Sequence, residues 1–369
     1  MDTAERRVVA ALWALPGIGV KTIERVREVF AAPGELYERP VKSWRREVDF
    51  SPQAVAALRK LDALAEVAER LEADLRRLGY RIIFPEEAAW PPALRDVAGA
   101  PPLLFMLGEG AVGPARRRVA IVGTRTPETG ATGEVRKLAA QVAEAGVGVV
   151  SGGAQGIDRA AHLGALDGGG ETWAFLGCAI EEMDSAQAVL RRPFREGQGT
   201  FFSQFPPGAR CEKGHFLLRN ACISGASEAV LVARAPASSG ALNTVQHARE
   251  QGRPVLALPG DPWNRAAVGS NQLLRDGARL CTGVQDVLDA LGLSGTVTPR
   301  PAPGPVDREP LGETAARVLA VLTRAPTGFD ELLAQVPGVG AGALAAALLE
   351  LELNGDALQR AGKRYERVS

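Results

Sequence analysis

The sequence is poor in the residues that bind metals. It has three histidines and four cysteines in 369 residues. The cysteines, at positions 178, 211, 222 and 281, are too scattered to form the spaced pairs of a zinc site. We therefore expect no metal and no other cofactor, and four reduced thiols, most of them buried.

The chain also lacks an excess of charge and a long apolar run. Its 43 Lys and Arg residues balance its 43 Asp and Glu residues, so any binding of nucleic acid has to come from a local basic patch. No apolar run reaches the length of a membrane-spanning helix, and the N-terminal residues lack the apolar core of a signal peptide. We expect a cytoplasmic protein that does not contact membranes.

What the sequence does have is glycine at the ends of apolar strands. Residues 151–158 follow a predicted strand at 147–150 and precede a predicted helix at 159–166. Glycines let backbone N–H groups approach an anionic oxygen, and a helix N-terminus favours negative charge. The candidate phosphate-binding residues of this turn are Gly152, Gly153, Gln155 and Gly156.

A similar turn, Gly123-Thr124-Arg125, follows a predicted strand at 118–122. The Arg125 guanidinium can bind a phosphate through two hydrogen bonds. Each turn taken alone is also what any tight strand-to-helix corner requires. Two such turns at neighbouring strand ends favour a nucleotide or nucleic-acid site in the crevice between them.

Further motifs follow in a fixed order. They are Phe-Pro-Pro-Gly at 205–208, Lys-Gly-His-Phe-Leu-Leu-Arg-Asn at 213–220, Ser-Ser-Gly-Ala-Leu at 238–242 and Gly-Ser-Asn-Gln-Leu-Leu-Arg-Asp-Gly-Ala at 269–278. Over residues 80 to 292 the series resembles the DNA-processing protein A family, DprA, also called Smf. The resemblance implies a non-enzymatic protein that protects incoming single-stranded DNA during natural transformation and helps to load the RecA recombinase. It also implies a homodimer formed through the central domain.

These motifs complete the set of candidate DNA-binding residues. Lys213 and Phe216 lie three residues apart near a predicted helix start, so the ammonium can meet a phosphate while the ring stacks on a base. The alternative for Phe216 is packing in the core. Of Arg219 and Asn220, we expect one to brace the pocket and the other to contact DNA. The remaining candidates are Ser239 and Gly240, at another helix start, and Asn271.

Two other polar residues, one in the second turn and one in the helix that follows it, are interpreted as structural. A carboxylate in the first turn of a helix, such as Asp158, satisfies free N–H groups and would repel a bound phosphate. His162, one turn further on, is interpreted as a hydrogen-bonded helix residue.

The length and patterning predict an α/β protein with two added domains. The centre, residues 80–292, is predicted to be an extended Rossmann-like, mainly parallel sheet. Residues 1–79 predict a helical domain of the helix-hairpin-helix or SAM-like type, ending in a long helix from 52 to 78. A proline-rich linker at 293–310 precedes a winged helix at 311–369.

Both added domains leave alternatives open. The Leu-Pro-Gly-Ile-Gly turn at 15–19 either places backbone N–H groups on a DNA phosphate or joins two helices of an interaction bundle. The second and third helices of the winged helix carry no Lys or Arg, which favours protein interaction or self-association over duplex binding.

An enzymatic alternative is a nucleotide N-glycosidase built on the same kind of sheet, similar to the cytokinin-activating phosphoribohydrolases. Those enzymes have a Pro-Gly-Gly-x-Gly-Thr loop followed by a glutamate, whereas residues 238–247 here lack the glycine pair and have Gln246 and His247 where an acid would be sought. Neither glycine turn ends in the lysine of a P-loop. We therefore expect a protein that is not an enzyme.

Overall fold

In a computed structural model the chain divides into two compact units, Met1–Ala302 and Pro303–Ser369. The structure describes residues 1–108, 115, 117–128, 130–183, 190–293, 311–323, 325–353, 356–360 and 364–367. The predicted linker, beyond its first residue, lies outside the described residues. No helix in these ranges has an apolar stretch long enough to cross a lipid bilayer.

The first unit begins with helices, as predicted. They are α1 (Thr3–Trp13), α2 (Val20–Val29), α3 (Val41–Trp44), α4 (Pro52–Leu58) and α5 (Ala65–Leu78).

The prediction of one helix from 52 to 78 is wrong, because the chain turns between α4 and α5. The Glu66 carboxylate accepts hydrogen bonds from the backbone N–H groups of Asp62 and Ala63, at 3.0 and 3.1 Å. The carbonyl of Asp62 accepts a third hydrogen bond, from the N–H of Val41 at 2.8 Å. These bonds occupy backbone groups that a continuous helix would have used.

A nine-stranded sheet forms the centre of the first unit. Its strands are β1 (Arg81–Ile83), β2 (Leu104–Gly108), β3 (Arg118–Gly123), β4 (Gly148–Ser151), β5 (Thr172–Leu176), β6 (Gly199–Ser203), β7 (Ala229–Arg234), β8 (Val255–Ala257) and β9 (Arg279–Leu280). Their order is β1-β2-β6-β5-β4-β3-β7-β8-β9. Only the pairs β1–β2 and β2–β6 are antiparallel, which confirms the mainly parallel sheet.

Helices connect the strands and cover both faces of the sheet. They are α6 (Ala131–Glu144), α7 (Ile157–Asp167), α8 (Arg191–Arg195), α9 (Lys213–Gly225), α10 (Ala241–Glu250), α11 (Val268–Arg275) and α12 (Val284–Ala290). Along β3, Val119 and Ile121 belong to one buried cluster and Ala120 and Val122 to another. Residues on both sides of the strand are therefore apolar, as expected for a parallel strand between two helical layers.

The order of the strands reverses at β3. The chain passes from β3 to β4, β5 and β6 on one side and then returns to β7 on the other. Loops that follow β3, β4 and β7 therefore leave the same edge of the sheet next to one another, and a crevice opens between them.

The N-terminal helices pack on the same unit. A third buried cluster joins Leu12 and Trp44 of these helices to Ala174 and Phe201 of the sheet. In addition, the indole N–H of Trp13 donates to the carbonyl of Gln204 at 2.6 Å. The helices and the sheet therefore share one hydrophobic core.

The second unit is a winged helix, as predicted. Its elements are α13 (Glu313–Val321), β10 (Thr327–Gly328), α14 (Phe329–Gln335), α15 (Ala341–Leu353), β11 (Ala357–Arg360) and β12 (Arg364–Arg367). The antiparallel strands have the order β10-β12-β11, and Leu332, Leu344 and Leu348 are buried at its centre. Arg324 and Lys363, two basic residues of this domain, lie outside the described residues.

Candidate functional site

A cavity of about 330 Å³ lies at the carboxyl ends of β3, β4 and β7, where the strand order reverses. It is formed by the loop after β3, by one face of α9 and by the first turn of α10. Eight of the predicted site residues line it: Gly123, Thr124, Arg125, Phe216, Arg219, Asn220, Ser239 and Gly240.

Phe216 and Arg125 form the rim of this cavity. The Arg125 guanidinium lies over the Phe216 ring, with 5.0 Å between Cζ and the ring centroid. The ring is half-buried and packs on Gly177, directly after β5, where a Cβ would lie 2.8 Å from the Phe216 Cδ1. The buried clusters of the described residues do not include Phe216, so the alternative of a core phenylalanine is not supported.

The Arg125 side chain is exposed, and among the described residues it makes no hydrogen bond or ion pair. Its N–H groups are therefore available to an anion. Among the described residues, the charged side chains that line the cavity are Arg125, Arg219 and Asp158, and their charges sum to a net positive charge.

Arg219 lies at the buried end of the cavity and stabilises its wall. It is 5% exposed, and one guanidinium nitrogen donates to the carbonyls of Gly152 and Phe175, each at 2.6 Å. These carbonyls belong to the ends of two neighbouring strands, β4 and β5, so the side chain fixes their spacing. Burial lowers the pKa of Arg219, and the nearby Asp158 carboxylate opposes that shift.

Asp158 occupies the position of a structural carboxylate. It is buried in the first turn of α7. Burial raises its pKa, while the positive charge of Arg219 and hydrogen bonds from the backbone at Ala154 and Gly123 act in the opposite direction. The carboxylate therefore ties the two glycine turns to α9.

The second glycine turn mainly supports the first one, although its residues Ala154 and Asp158 also line the cavity. Gly156 has φ +78°, and a Cβ there would lie 2.7 Å from the carbonyl oxygen of Arg125. The N–H of Ile157 donates to the Thr124 carbonyl at 3.2 Å. Of this turn, Ala154 lines the cavity, whereas the four predicted residues of the turn do not: Gly152, Gly153, Gln155 and Gly156.

Asn220 connects α9 to the start of α10. Its amide nitrogen donates to the Gly240 carbonyl and to the Asn243 side chain, both at 3.3 Å. Thr244 lines the cavity as well and was missed by the sequence analysis. It lies four residues after Gly240 on a helix, so helical spacing could have placed it on the same face.

Two other predicted residues lie outside the cavity lining. Lys213 is exposed as the first residue of α9. Asn271 uses its amide to pair with the backbone N–H and carbonyl of Gly260, both at 3.0 Å. Asn271 therefore holds a loop, and the Lys213 ammonium makes no hydrogen bond or ion pair with the residues that the structure describes.

His162 is a hydrogen-bonded helix residue, as interpreted from the sequence. Its Nδ1 lies 2.7 Å from the Thr172 hydroxyl, which itself donates to the Val149 carbonyl at 3.0 Å. Because that hydroxyl uses its proton on the carbonyl, it accepts from Nδ1–H of a neutral imidazole. Complete burial, together with the charge of Arg219, lowers the pKa of His162 to about 3.

Comparison with known proteins identifies relatives over most of the chain. The family model of DNA recombination-mediator protein A matches residues 81–292, and that of the DprA winged helix domain matches residues 298–363. A putative DNA processing protein DprA of Mycobacterium tuberculosis is 36% identical over 313 residues, 80% of this chain and 77% of that protein.

Two solved structures are also similar. DprA of Streptococcus pneumoniae is 27% identical with a TM-score of 0.58, over 78% of this chain and 98% of that chain. DNA processing protein A of Helicobacter pylori, studied for its single-stranded DNA binding mode, is 27% identical with a TM-score of 0.50, over 57% of this chain and 95% of that chain.

Proposed function

This chain belongs to the DNA recombination-mediator protein A family, and we propose that its cavity binds single-stranded DNA. The observation that carries the proposal is the exposed Arg125 guanidinium, which has no ion pair among the described residues and lies over the half-exposed Phe216 ring at the rim. A cation next to an aromatic platform suits a strand that offers a phosphate and an unstacked base at every step.

Different residues of the cavity bind the phosphates and the base. Arg125 binds a phosphate, and Gly240, directly before α10, offers its backbone N–H to a neighbouring one. The N–H of Ser239 donates to the Pro236 carbonyl at 3.0 Å and so holds this turn in place. A base stacks on Phe216, and contacts of these kinds carry little sequence information. The site thus favours binding without strong sequence preference.

We extend the proposal to a wider role, which membership of the family supports. The protein protects incoming single strands during natural transformation and helps to load the RecA recombinase on them, acting in the cytoplasm as a homodimer formed through its central domain. It does so without catalysis. In support, Asp158 is the one carboxylate that lines the cavity in the part of the chain that the structure describes, and it is buried, which does not suit a glycosidase acid.

Fluorescence anisotropy over a salt series tests the proposal with single- and double-stranded oligonucleotides. We expect tighter binding of single strands, with a log–log salt slope of about −0.7 per phosphate neutralised. Arg125→Ala should weaken binding and reduce the slope, while Arg275→Ala, which removes an exposed arginine of α11, should change neither. Binding that is independent of salt, or release of free base from a nucleoside monophosphate, would favour a nucleotide-handling enzyme.

The winged helix is not assigned to this binding. Helices α14 and α15 carry no Lys or Arg, so the unit suits protein interaction or self-association. A chain ending at Gly292 should therefore still bind single strands. If truncation abolished binding while Arg125→Ala did not, the winged helix would be the DNA-binding part.

A further inference from the structure

The loop after β8 carries an almost fully exposed tryptophan. Trp263 is 91% exposed, whereas Trp44, Trp90 and Trp173 are buried. Because β8 runs parallel to β7 and beside it, this loop leaves the same edge of the sheet as the loops that form the cavity. The indole therefore lies on the side of the molecule where DNA is proposed to bind.

Hydrogen bonds hold this loop in place. The Asp261 carboxylate accepts from the N–H of Trp263 at 2.8 Å, and the Asn264 side chain accepts from the N–H of Ala266 at 2.9 Å. Asn271 pairs with both backbone groups of Gly260 at 3.0 Å. The ring is thus carried by a braced loop, which lowers the entropy cost of using it as a contact.

The loop is also continuous with the cavity wall. The N–H of Gly269, at the start of α11, donates to the Ala235 carbonyl at 2.7 Å, and the next residue, Pro236, lines the cavity. Neighbouring strands are about 4.8 Å apart, so the tryptophan loop begins one strand beyond that wall. Arg265, exposed in the same loop, adds a positive charge.

We infer that Trp263 is a second stacking platform, for a nucleobase of the same single strand that occupies the cavity. The inference rests on the proposed function. An exposed indole offers a face to any base, and the exposed Arg265, two residues further on, offers N–H donors to a phosphate of the strand. Asn271 is then a positioning residue that holds the platform instead of contacting DNA.

The test measures the binding of oligodeoxythymidylates to the full chain and to its variants Trp263→Ala and Trp263→Phe. The oligonucleotides have about four and about twelve nucleotides, near the limits of common site sizes. Trp263→Ala should weaken binding of the long oligonucleotide about five- to tenfold, at the lower end of what stacking contributes, and leave the short one unchanged. Trp263→Phe keeps a ring and should retain most of the affinity. The long oligonucleotide should quench the tryptophan emission of the parent but not that of Trp263→Phe.

The outcomes separate this inference from the proposed function. If the parent binds neither oligonucleotide, the proposed function is wrong and the inference with it. If Arg125→Ala weakens binding but Trp263→Ala binds the long oligonucleotide like the parent, without quenching in the parent, only the inference is wrong. If Trp263→Ala turns a dimer into a monomer in sedimentation and weakens both oligonucleotides equally, Trp263 belongs to an interface between copies, and the inference is also overturned.

Discussion

Arg125 and Phe216 come from different crossovers of the sheet, yet the Arg125 Cζ lies 5.0 Å from the Phe216 ring centroid. This contact joins the loop after β3 to the first turns of α9. A cation over a ring is an attractive pair, so the contact holds the guanidinium at the rim before any ligand arrives. The pair is therefore preorganised for a strand that presents phosphate and base together.

Phe216→Ala should lower the affinity for single-stranded DNA by about 1–3 kcal/mol, the usual contribution of an aromatic platform. Leu218→Ala is the matched control, because Leu218 lies on the same helix and is 60% exposed. Anisotropy titrations measure both, after urea unfolding has shown that each variant is folded. Equal binding by the two variants and the parent would remove Phe216 from the site.

Arg219→Met should destabilise the fold, because it leaves the Asp158 carboxylate and two strand-end carbonyls without their buried cation. Loss of one partner of a buried charge pair costs about 3–5 kcal/mol of unfolding free energy. The double variant Asp158→Asn/Arg219→Met should lose less than the sum of the single changes. Urea unfolding measures all three, and strict additivity would show that the two charges do not interact.

The stability of the protein should fall as the pH drops from 6.5 towards 3. The pKa of His162 is about 3 when folded, against an ordinary value of 6.5, so within that window the unfolded chain binds a proton that the folded chain does not. The contribution of His162 to the unfolding free energy therefore decreases by about 1.4 kcal/mol for each unit by which the pH falls.

His162→Asn is the control, since an amide can still donate to Thr172 but does not titrate. The difference in unfolding free energy between the parent and this variant should follow the pH across the window. Parallel pH profiles would mean that the pKa of His162 is the same in the folded and unfolded chains, and would contradict the lowered value.

The thiols should react in two classes. Cys211 is exposed, and Cys178, Cys222 and Cys281 are buried. Burial raises the pKa of Cys222 to about 12 and that of Cys281 to about 11, which suppresses the reactive thiolate. Reaction of the folded chain with an aromatic disulfide reagent should give one fast thiol, and denaturant should release the rest. A fast phase that survives in Cys211→Ser would contradict this assignment.

Much of the fold was predictable because parallel strands are apolar on both faces. Strands β3 and β7 contain continuous apolar runs at 119–122 and 229–233, and the glycine turn after the first run placed Gly123 and Arg125 at a strand end. The break between α4 and α5 was not predictable from the same pattern. It depends on the side chain of Glu66 and on a hydrogen bond from Val41, which apolar periodicity does not report.

The different positions of two residues of α9 could not be predicted either. Phe216 and Arg219 are three residues apart and so share a helix face, yet one lies at the rim and the other is buried below it. Their different positions depend on tertiary contacts. The Phe216 ring packs on Gly177, and the Arg219 guanidinium donates to the carbonyls of Gly152 and Phe175. Trp263 was not singled out, because one aromatic residue in a polar loop has no periodicity.

The sheet ends in very short strands on both sides. Strand β1 has three residues and β9 has two, so each outer edge exposes few unpaired backbone groups. Short edges discourage the addition of a foreign strand and hence fibrous aggregation. For the same reason, few backbone hydrogen bonds would form if the sheet of one copy were extended by the sheet of another. A homodimer would have to be held by side chains such as the half-exposed Leu280.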